Sequence, residues 1–441
     1  MQVGQKHLEQ AGGSQAPTEP MLRTSDVLSG KVVCIPGLMQ RLGLFEMLRN
    51  ASLAGIRRSV SPDVAERIAQ SGFEHTHRWV DGRDIPALND AVYAEVRKIA
   101  ATLMARLVPA LFGEDEPYYF ESTPNVRFHI PYDEAAGYSR EYAVYARSRG
   151  EGKITPHGPH RDSWLHCPTN CMNLWTAVGP VVVGNGLSIF PEVYGEDLHC
   201  DTAGEVLPGR PLGQAQNFVL EPGDVLVFHG NHLHASELNS TAQTRHIVSF
   251  RITMGRPQFA LAHNHSYLHG PMTTGPLRPL AALPAELTWS RLRHVVTEAL
   301  LRLSAGYLDV RPKRPIPPAP AEADQAPAPD LVIRDDDLPL NAVRSVSSRI
   351  CVAKLEDGTV RAFARRCPHR GGDLSNGTLR GSDIVCPLHN LPIDVESGAS
   401  PCASLRQIET YPVTREGGLW KVQSTADAEA RGSASLKAVE G

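Results

Sequence analysis

The stretch CPHRGGDLSNGTLRGSDIVCPLHN, residues 367–390, contains Cys-x-His, a spacer and then Cys-x-x-His. Cys367, His369, Cys386 and His389 therefore offer two thiolates and two imidazoles, the donor set of a [2Fe-2S] centre in which histidine replaces cysteine at one iron. Neutral imidazoles make such a cluster less negative and raise its potential. Gly371 and Gly372, with Pro368 and Pro387, suit tight loops that bring both ligand pairs to one apex. A structural zinc site accepts the same four donors. The Cys-x-His spacing and the flanking glycines favour the iron-sulfur reading.

Around this motif, residues 331–425 read as short strands and turns, with CVAKLEDGTVRAFA predicting a hairpin that turns near Asp357-Gly358. The segment resembles the Rieske ferredoxin family, which implies a small all-β domain. Respiratory members carry an extra cysteine in each loop; here those positions are Gly372 and Leu388. The resemblance is thus to ferredoxin-like and oxygenase-type domains. Asn390-Leu391-Pro392-Ile393 stands where many of those have an aromatic-rich stretch. Cys351 and Cys402 lie outside the motif and read as core residues.

Upstream, RPKRPIPPAPAEADQAPAPD, residues 311–330, has no apolar periodicity and reads as an interdomain linker. It is long enough for the second domain to reach its own partner domain or another subunit's. A chain of 441 residues exceeds what one core organises, so two domains are expected. The division is 1–30 as a disordered terminus, 31–310 as a larger domain, 331–425 as the small domain and 426–441 as a flexible tail. With 41% hydrophobic and 21% charged residues the chain is ordinary for a globular protein in water. No signal peptide or membrane-spanning run is legible, which leads to an expected cytoplasmic location with no membrane partner. The eight cysteines are better explained by metal ligation than by disulfides. A net charge of -4 argues against nucleic acid.

Within the larger domain, residues 37–112 carry helical periodicity, as in VYAEVRKIAATLMARLVPALF. From about Tyr118 to Thr253 short apolar runs broken by Gly, Pro and Asn predict a β-sandwich. SRLRHVVTEALLRL then puts Leu292, Val295, Val296, Ala299, Leu300 and Leu303 on one helical stripe. In the β region TPHGPHRDSW supplies His160-x-Asp162, and GDVLVFHGNHLHAS supplies His229, His232 and His234. Two histidines and a carboxylate make the facial triad of a non-haem Fe(II) oxygenase. Arg245, at the end of HASELNSTAQTR, has the planar fork that grips a carboxylate.

This order of elements resembles the phytanoyl-CoA hydroxylase family of Fe(II)/2-oxoglutarate dioxygenases over residues 118–255. The resemblance implies a mainly β fold with flanking helices: a double-stranded β-helix (jelly-roll) domain, followed here by the small Rieske domain. It also implies His160, Asp162 and His234 as Fe(II) ligands, Arg245 as the 2-oxoglutarate clamp, Ser236 near the co-substrate and Trp175 on its pocket wall. NGLSIFP, from Asn185, occupies the place of the family's Asn-Gly turn. His232 and His229 stay open as alternative ligands, although a surface or pocket-rim role suits them, as it does His157, His166 and His246. Trp164 is equally a pocket wall or a core aromatic. Because Asp162 fills the position that halogenases leave small, hydroxylation or desaturation is expected.

The expected activity is oxidation of a small-molecule metabolite, with a lean towards a tailoring step of secondary metabolism, using O2 and 2-oxoglutarate. That chemistry needs no outside electrons, so the [2Fe-2S] cluster is expected to return Fe(III) to Fe(II), itself fed by a reductase or ferredoxin. Alternatives are a Rieske-driven oxygenase independent of 2-oxoglutarate and a non-catalytic redox or metabolite sensor.

Overall fold

The computed structural model describes residues 21–113, 116–149, 154–201, 204–207, 211–260, 267–270 and 331–423. The linker 311–330, the helical stripe 292–303 and the tail 426–441 lie outside them. In chain order the larger part contains α1 (Thr24–Leu28), β1 (Val33–Ile35), α2 (Leu38–Arg41), α3 (Phe45–Ser59), α4 (Pro62–Ser71) and α5 (Ile85–Phe112). There follow β2 (Tyr118–Glu121), β3 (Asn125–His129), α6 (Tyr132–Ala135), α7 (Ser139–Arg149), β4 (Met172–Ala177), β5 (Leu187–Phe190), β6 (Gln216–Asn217), β7 (Val225–His229), β8 (Leu233–Ser236), β9 (Arg245–Met254) and β10 (Tyr267–His269).

The order of the large sheet is β1-β7-β4-β9-β2-β10, with β3 sharing the edge of β9 that β2 also uses. A small sheet, β6-β5-β8, completes the jelly roll. Side-chain alternation assigns the two faces of the large sheet. Val126, Phe128, Met172, Leu174, Val225, Val227, Val248, Phe250 and Ile252 face the helices, in one core with Leu48, Ile56, Val92 and Leu103. Their neighbours in sequence point the other way: Trp175, Leu226, Phe228 and Ile247 pack with Leu187 and Ile189 of the small sheet.

Helix α4 starts as its sequence dictates, with Ser61 accepting from the Val64 N–H at 3.1 Å and Pro62 in the first turn. One expectation needs correction: Thr24–Leu28, assigned to the disordered terminus 1–30, forms α1 around fully buried Val27. β1, which had no sequence signal, lies between α1 and α2 and pairs with β7 through Val33 and Val227; three residues are too few to display an alternation.

The small domain contains β11 (Leu331–Arg334), β12 (Ala342–Ser345), β13 (Ile350–Lys354), β14 (Val360–Ala364), β15 (Thr378–Arg380), β16 (Asp383–Val385), β17 (Pro392–Asp394), β18 (Thr410–Tyr411), β19 (Val413–Glu416) and β20 (Leu419–Val422). Their sheets are β12-β13-β14-β18, β15-β16-β17 and β11-β20-β19. The β13–β14 hairpin pairs Lys354 with Val360 and turns through Gly358, whose φ of 81° suits glycine. The eight cysteines are all free, and Cys351 and Cys402 are buried.

Helices α3 and α5 touch most closely at Gly55, where an added Cβ would lie 2.5 Å from the Val92 Cα. Gly55→Ala is expected to destabilise the chain by about 1–3 kcal/mol through overpacking, read as a lower urea midpoint by circular dichroism. An unchanged midpoint contradicts this contact.

Candidate metal centres

His160 and His234 are backbone partners. The His160 N–H donates to the His234 carbonyl at 2.9 Å, and the His234 N–H returns the bond at 3.0 Å. The Asp162 N–H bonds the Gly230 carbonyl at 2.9 Å, which fixes the second residue of the His-x-Asp pair against the turn between β7 and β8. Gly230 leaves room there, since a Cβ would come 3.0 Å from Asp162 Oδ2, a tight approach. One donor atom from each of His160, Asp162 and His234 lies within 4.8 Å of the others, and all three residues are buried.

The rings are held by their far nitrogens. His160 Nδ1 meets the Gly158 carbonyl at 2.8 Å and His234 Nδ1 meets the His232 carbonyl at 2.9 Å. With Nδ1 as the donor, each Nε2 keeps a lone pair for a cation. Burial, with the two rings repelling one another's charge, lowers the pKa of His160 well below its ordinary value, and burial lowers that of His234. Burial alone would raise the Asp162 carboxyl, but Arg251 and the two histidines outweigh it and hold the group below the usual carboxylate range. Arg251 donates to Asp162 Oδ1 at 2.9 Å and to Glu121 at 3.1 Å, while Asn173 donates to Asp162 Oδ2 at 2.6 Å. Two neutral imidazoles and one ionised carboxylate fit a divalent iron.

The same pocket is lined by Trp175, Ser236, Arg245, Arg127 and Arg251. Arg245 is buried; its guanidinium donates to the Asn185 and Gly186 carbonyls at 2.9 and 2.6 Å and to His129 at 2.8 Å, and it lies over the Trp175 ring. It forms no salt bridge among the described residues, and its Nε has no partner there. Burial, with Arg127 nearby, depresses its pKa to about 9. A guanidinium buried without a counterion is costly, so this pocket suits a carboxylate ligand. Sequence reading missed Arg127, Asn173 and Arg251. Arg251 was within reach, since residues 245 and 251 of β9 share a face at a period of two.

The other histidines sit elsewhere. His229 bonds Tyr194 and the Thr169 carbonyl, His232 bonds the Gly30 carbonyl, and His246 stacks on Phe128 with Nε2 on Ser52. All three are buried, as is His157 beside His160, so the surface or rim role is corrected for them; His166 alone is exposed. Trp164 is half-buried against Phe190 and Leu233, under Arg161, and does not line the pocket.

In the small domain the two ligand loops repeat one geometry. The Cys367 N–H bonds the Gly372 carbonyl and the Gly371 N–H returns to the Cys367 carbonyl; Cys386, Leu391 and Asn390 make the same pair of bonds. The matching left-handed positions are Gly371 at φ 69° and Asn390 at φ 54°, which asparagine tolerates better than most side chains. Leu391 and Ile393 are buried, so the Asn-Leu-Pro-Ile stretch packs normally. A Cβ on Gly372 would sit 2.8 Å from Cys386 Sγ, so that glycine leaves room for the ligand sulfurs. A hydrogen bond with Cys386 holds the Cys367 thiol below its ordinary pKa, and burial with Arg370 nearby lowers His369 to about 4. The rings of His369 and His389 are 4.8 Å apart. One thiolate pair and one neutral imidazole pair fit a mixed-ligand [2Fe-2S] cluster.

These loops dock on the larger part of the chain. The Leu238 N–H donates to the His389 carbonyl at 2.9 Å, four residues beyond His234, and Asn390 donates to Glu237 at 2.8 Å. Glu237 in turn accepts from the Gly184 and Gly186 N–H groups at 2.9 and 2.8 Å, in the turn whose carbonyls hold Arg245. Tyr132 packs edge-on to His369. Arg370 meets Glu205 at 3.3 Å, and Glu205 accepts from the Gly158 N–H at 3.1 Å, two residues before His160. Asp133 accepts from the Ala403 and Ser404 N–H groups. Leu238 belongs to the core of the small domain.

Comparisons with known proteins divide the chain in the same way. The family described as Phytanoyl-CoA dioxygenase (PhyH) matches residues 53–247, and the Rieske [2Fe-2S] domain matches residues 329–412. The ferredoxin component of a naphthalene 1,2-dioxygenase system of Pseudomonas aeruginosa is 42% identical over 62 residues, 14% of this chain and 60% of its own length. The ferredoxin component of the naphthalene 1,2-dioxygenase/salicylate 5-hydroxylase systems of Ralstonia sp is 36% identical over 85 residues, 18% of this chain and 81% of its own. The chain thus spans about 60% of the length of the first of these relatives. A solved non-heme monooxygenase in a nickel complex is 14% identical with a TM-score of 0.30, covering 65% of this chain and 97% of its own. No helix among the described residues is long and apolar enough to cross a membrane.

Because Arg251 keeps Asp162 ionised and orients it, Arg251→Met is expected to weaken binding of ferrous ion about 10- to 100-fold, measured by anaerobic titration of the full chain. Equal affinity would remove Arg251 from the centre.

Proposed function

We propose, for a chain that belongs to the phytanoyl-CoA dioxygenase (PhyH) family and carries a Rieske [2Fe-2S] domain, that it hydroxylates or desaturates a small-molecule metabolite with O2 and 2-oxoglutarate. The carrying observation is the buried His160, Asp162 and His234 group lining the same pocket as the guanidinium of Arg245, whose Nε has no partner and which forms no salt bridge among the described residues. When bound, ferrous iron supplies O2 activation coupled to oxidation of the keto acid, and the Rieske cluster supplies single electrons that keep that iron ferrous.

Each side chain then has a task. His160, Asp162 and His234 would hold the iron with two imidazoles and one carboxylate. Arg245 receives the distal carboxylate of 2-oxoglutarate, its unpartnered Nε turned to account by that oxygen. Ser236 offers a hydroxyl to the same ligand, and Trp175, Leu187 and Phe228 wall the pocket with apolar surface. Cys367, His369, Cys386 and His389 hold the cluster, and the contact of His389 with Leu238 supports electron delivery within one chain. That contact equally favours a second reading, in which the cluster drives oxygenation without 2-oxoglutarate.

Two measurements test the proposal. Arg245→Met is expected to weaken 2-oxoglutarate binding about 10- to 100-fold, followed through the visible charge-transfer band of a keto acid chelated to ferrous iron. If wild type gives no such band and releases no succinate, the second reading replaces the first. Cys367→Ser is expected to reduce total turnovers without ascorbate and to recover with it; equal totals in wild type and variant would end the iron-reducing role of the cluster.

A further inference from the structure

On the imidazole edge of the ligand loops His389 is 1% exposed with its carbonyl bonded by Leu238, and the half-buried His369 packs against Tyr132. The larger part of the chain therefore covers His389. Cys367 and Cys386 are buried as well, but the chain on either side of Cys367 reaches the surface. Arg366 and Pro368, the two neighbours of Cys367, line a surface groove of about 380 Å³ together with Arg349, Arg406, Glu409 and Tyr411.

On the ligand loops Arg365 pairs with Asp373 and Arg370 with Glu205, and neither lines the groove. Arg349, Arg366 and Arg406 are exposed and project from the groove, and Glu409, which accepts from the Tyr411 hydroxyl, is the one carboxylate among its lining residues. Arg366 bonds only the Gly371 carbonyl, and neither it nor Arg406 enters a salt bridge among the described residues. Three guanidiniums against one carboxylate make a local positive field on a chain whose net charge is -4.

We propose that this groove is the docking face of the electron donor, an acidic one-electron carrier protein whose redox group comes to rest beside Pro368 and the Cys367 backbone. The inference rests on the Rieske cluster reading. In the step the reduced carrier loses one electron and the oxidised cluster gains it; no bond forms or breaks. The two sides of the small domain then divide the work, with electrons entering past Cys367 and leaving past His389.

The test uses the full chain, purified anaerobically with its cluster, and reduced flavodoxin as an acidic probe donor, with bleaching of the cluster's visible absorbance followed by stopped flow. The second-order rate at low salt is expected to fall about tenfold or more in R349E/R406E, and to fall with added salt in wild type. R57E/R78E, on exposed arginines of the helical part, makes the same change in net charge and is expected to stay near wild type. Dithionite bleaches all three proteins if the cluster is present, so failure with dithionite defeats the cluster reading and not the groove. The docking proposal is overturned if dithionite works but flavodoxin does not, if R349E/R406E stays within about twofold of wild type, or if both double variants slow equally.

Discussion

Two backbone hydrogen bonds between His160 and His234 carry the chemistry of the larger domain. They join a loop segment to a strand of the small sheet and bring together imidazoles that lie far apart in the chain. Being main-chain bonds, they set ring position without depending on the side chains they position. The Nδ1 contacts with the Gly158 and His232 carbonyls then fix rotation, and Asp162 is clamped from two sides by Arg251 and Asn173. These bonds hold the three side chains in place without a ligand.

Electrostatics decide what this frame accepts. Arg127, Arg245 and Arg251 line one pocket with a single carboxylate, Asp162, and Arg251 also spends a nitrogen on Glu121. Burial with Arg251 nearby lowers Arg127 to about 10, as burial lowers Arg245. Positive groups crowded in low dielectric stabilise an anion. A dianionic ligand would relieve that crowding, whereas a neutral one would leave it in place.

Much of this was legible from residue order, for stated reasons. Short motifs such as Cys-x-His, His-x-Asp and the Arg245 spacing place donors on loops and strand ends, where side-chain chemistry is decided locally. The strands followed from alternation, as in HIVSFRI, whose apolar Ile247 and Val248 belong to opposite faces. Contacts between distant segments were not legible. The period of two puts Arg251 on the face of Arg245, but its pairing with Asp162 shows only once the loop of Asp162 folds beside it, and β1 is too short to announce itself. The histidines of DVLVFHGNHLHAS could not be ranked by sequence, since choosing among His229, His232 and His234 depends on which one meets His160. The docking of Leu238 on His389 had no local signal, because neither residue is unusual for its own domain.

That docking sets the kinetic order of any exchange between the two domains. Partners that meet by diffusion slow down when diluted, whereas modules tethered in one polypeptide face each other at an effective concentration on the order of millimolar. Their stoichiometry is fixed by translation, and a cell making little of this protein loses nothing in the pairing. Leu238, an apolar side chain of one domain counted in the core of the other, is the residue through which that independence from abundance is built.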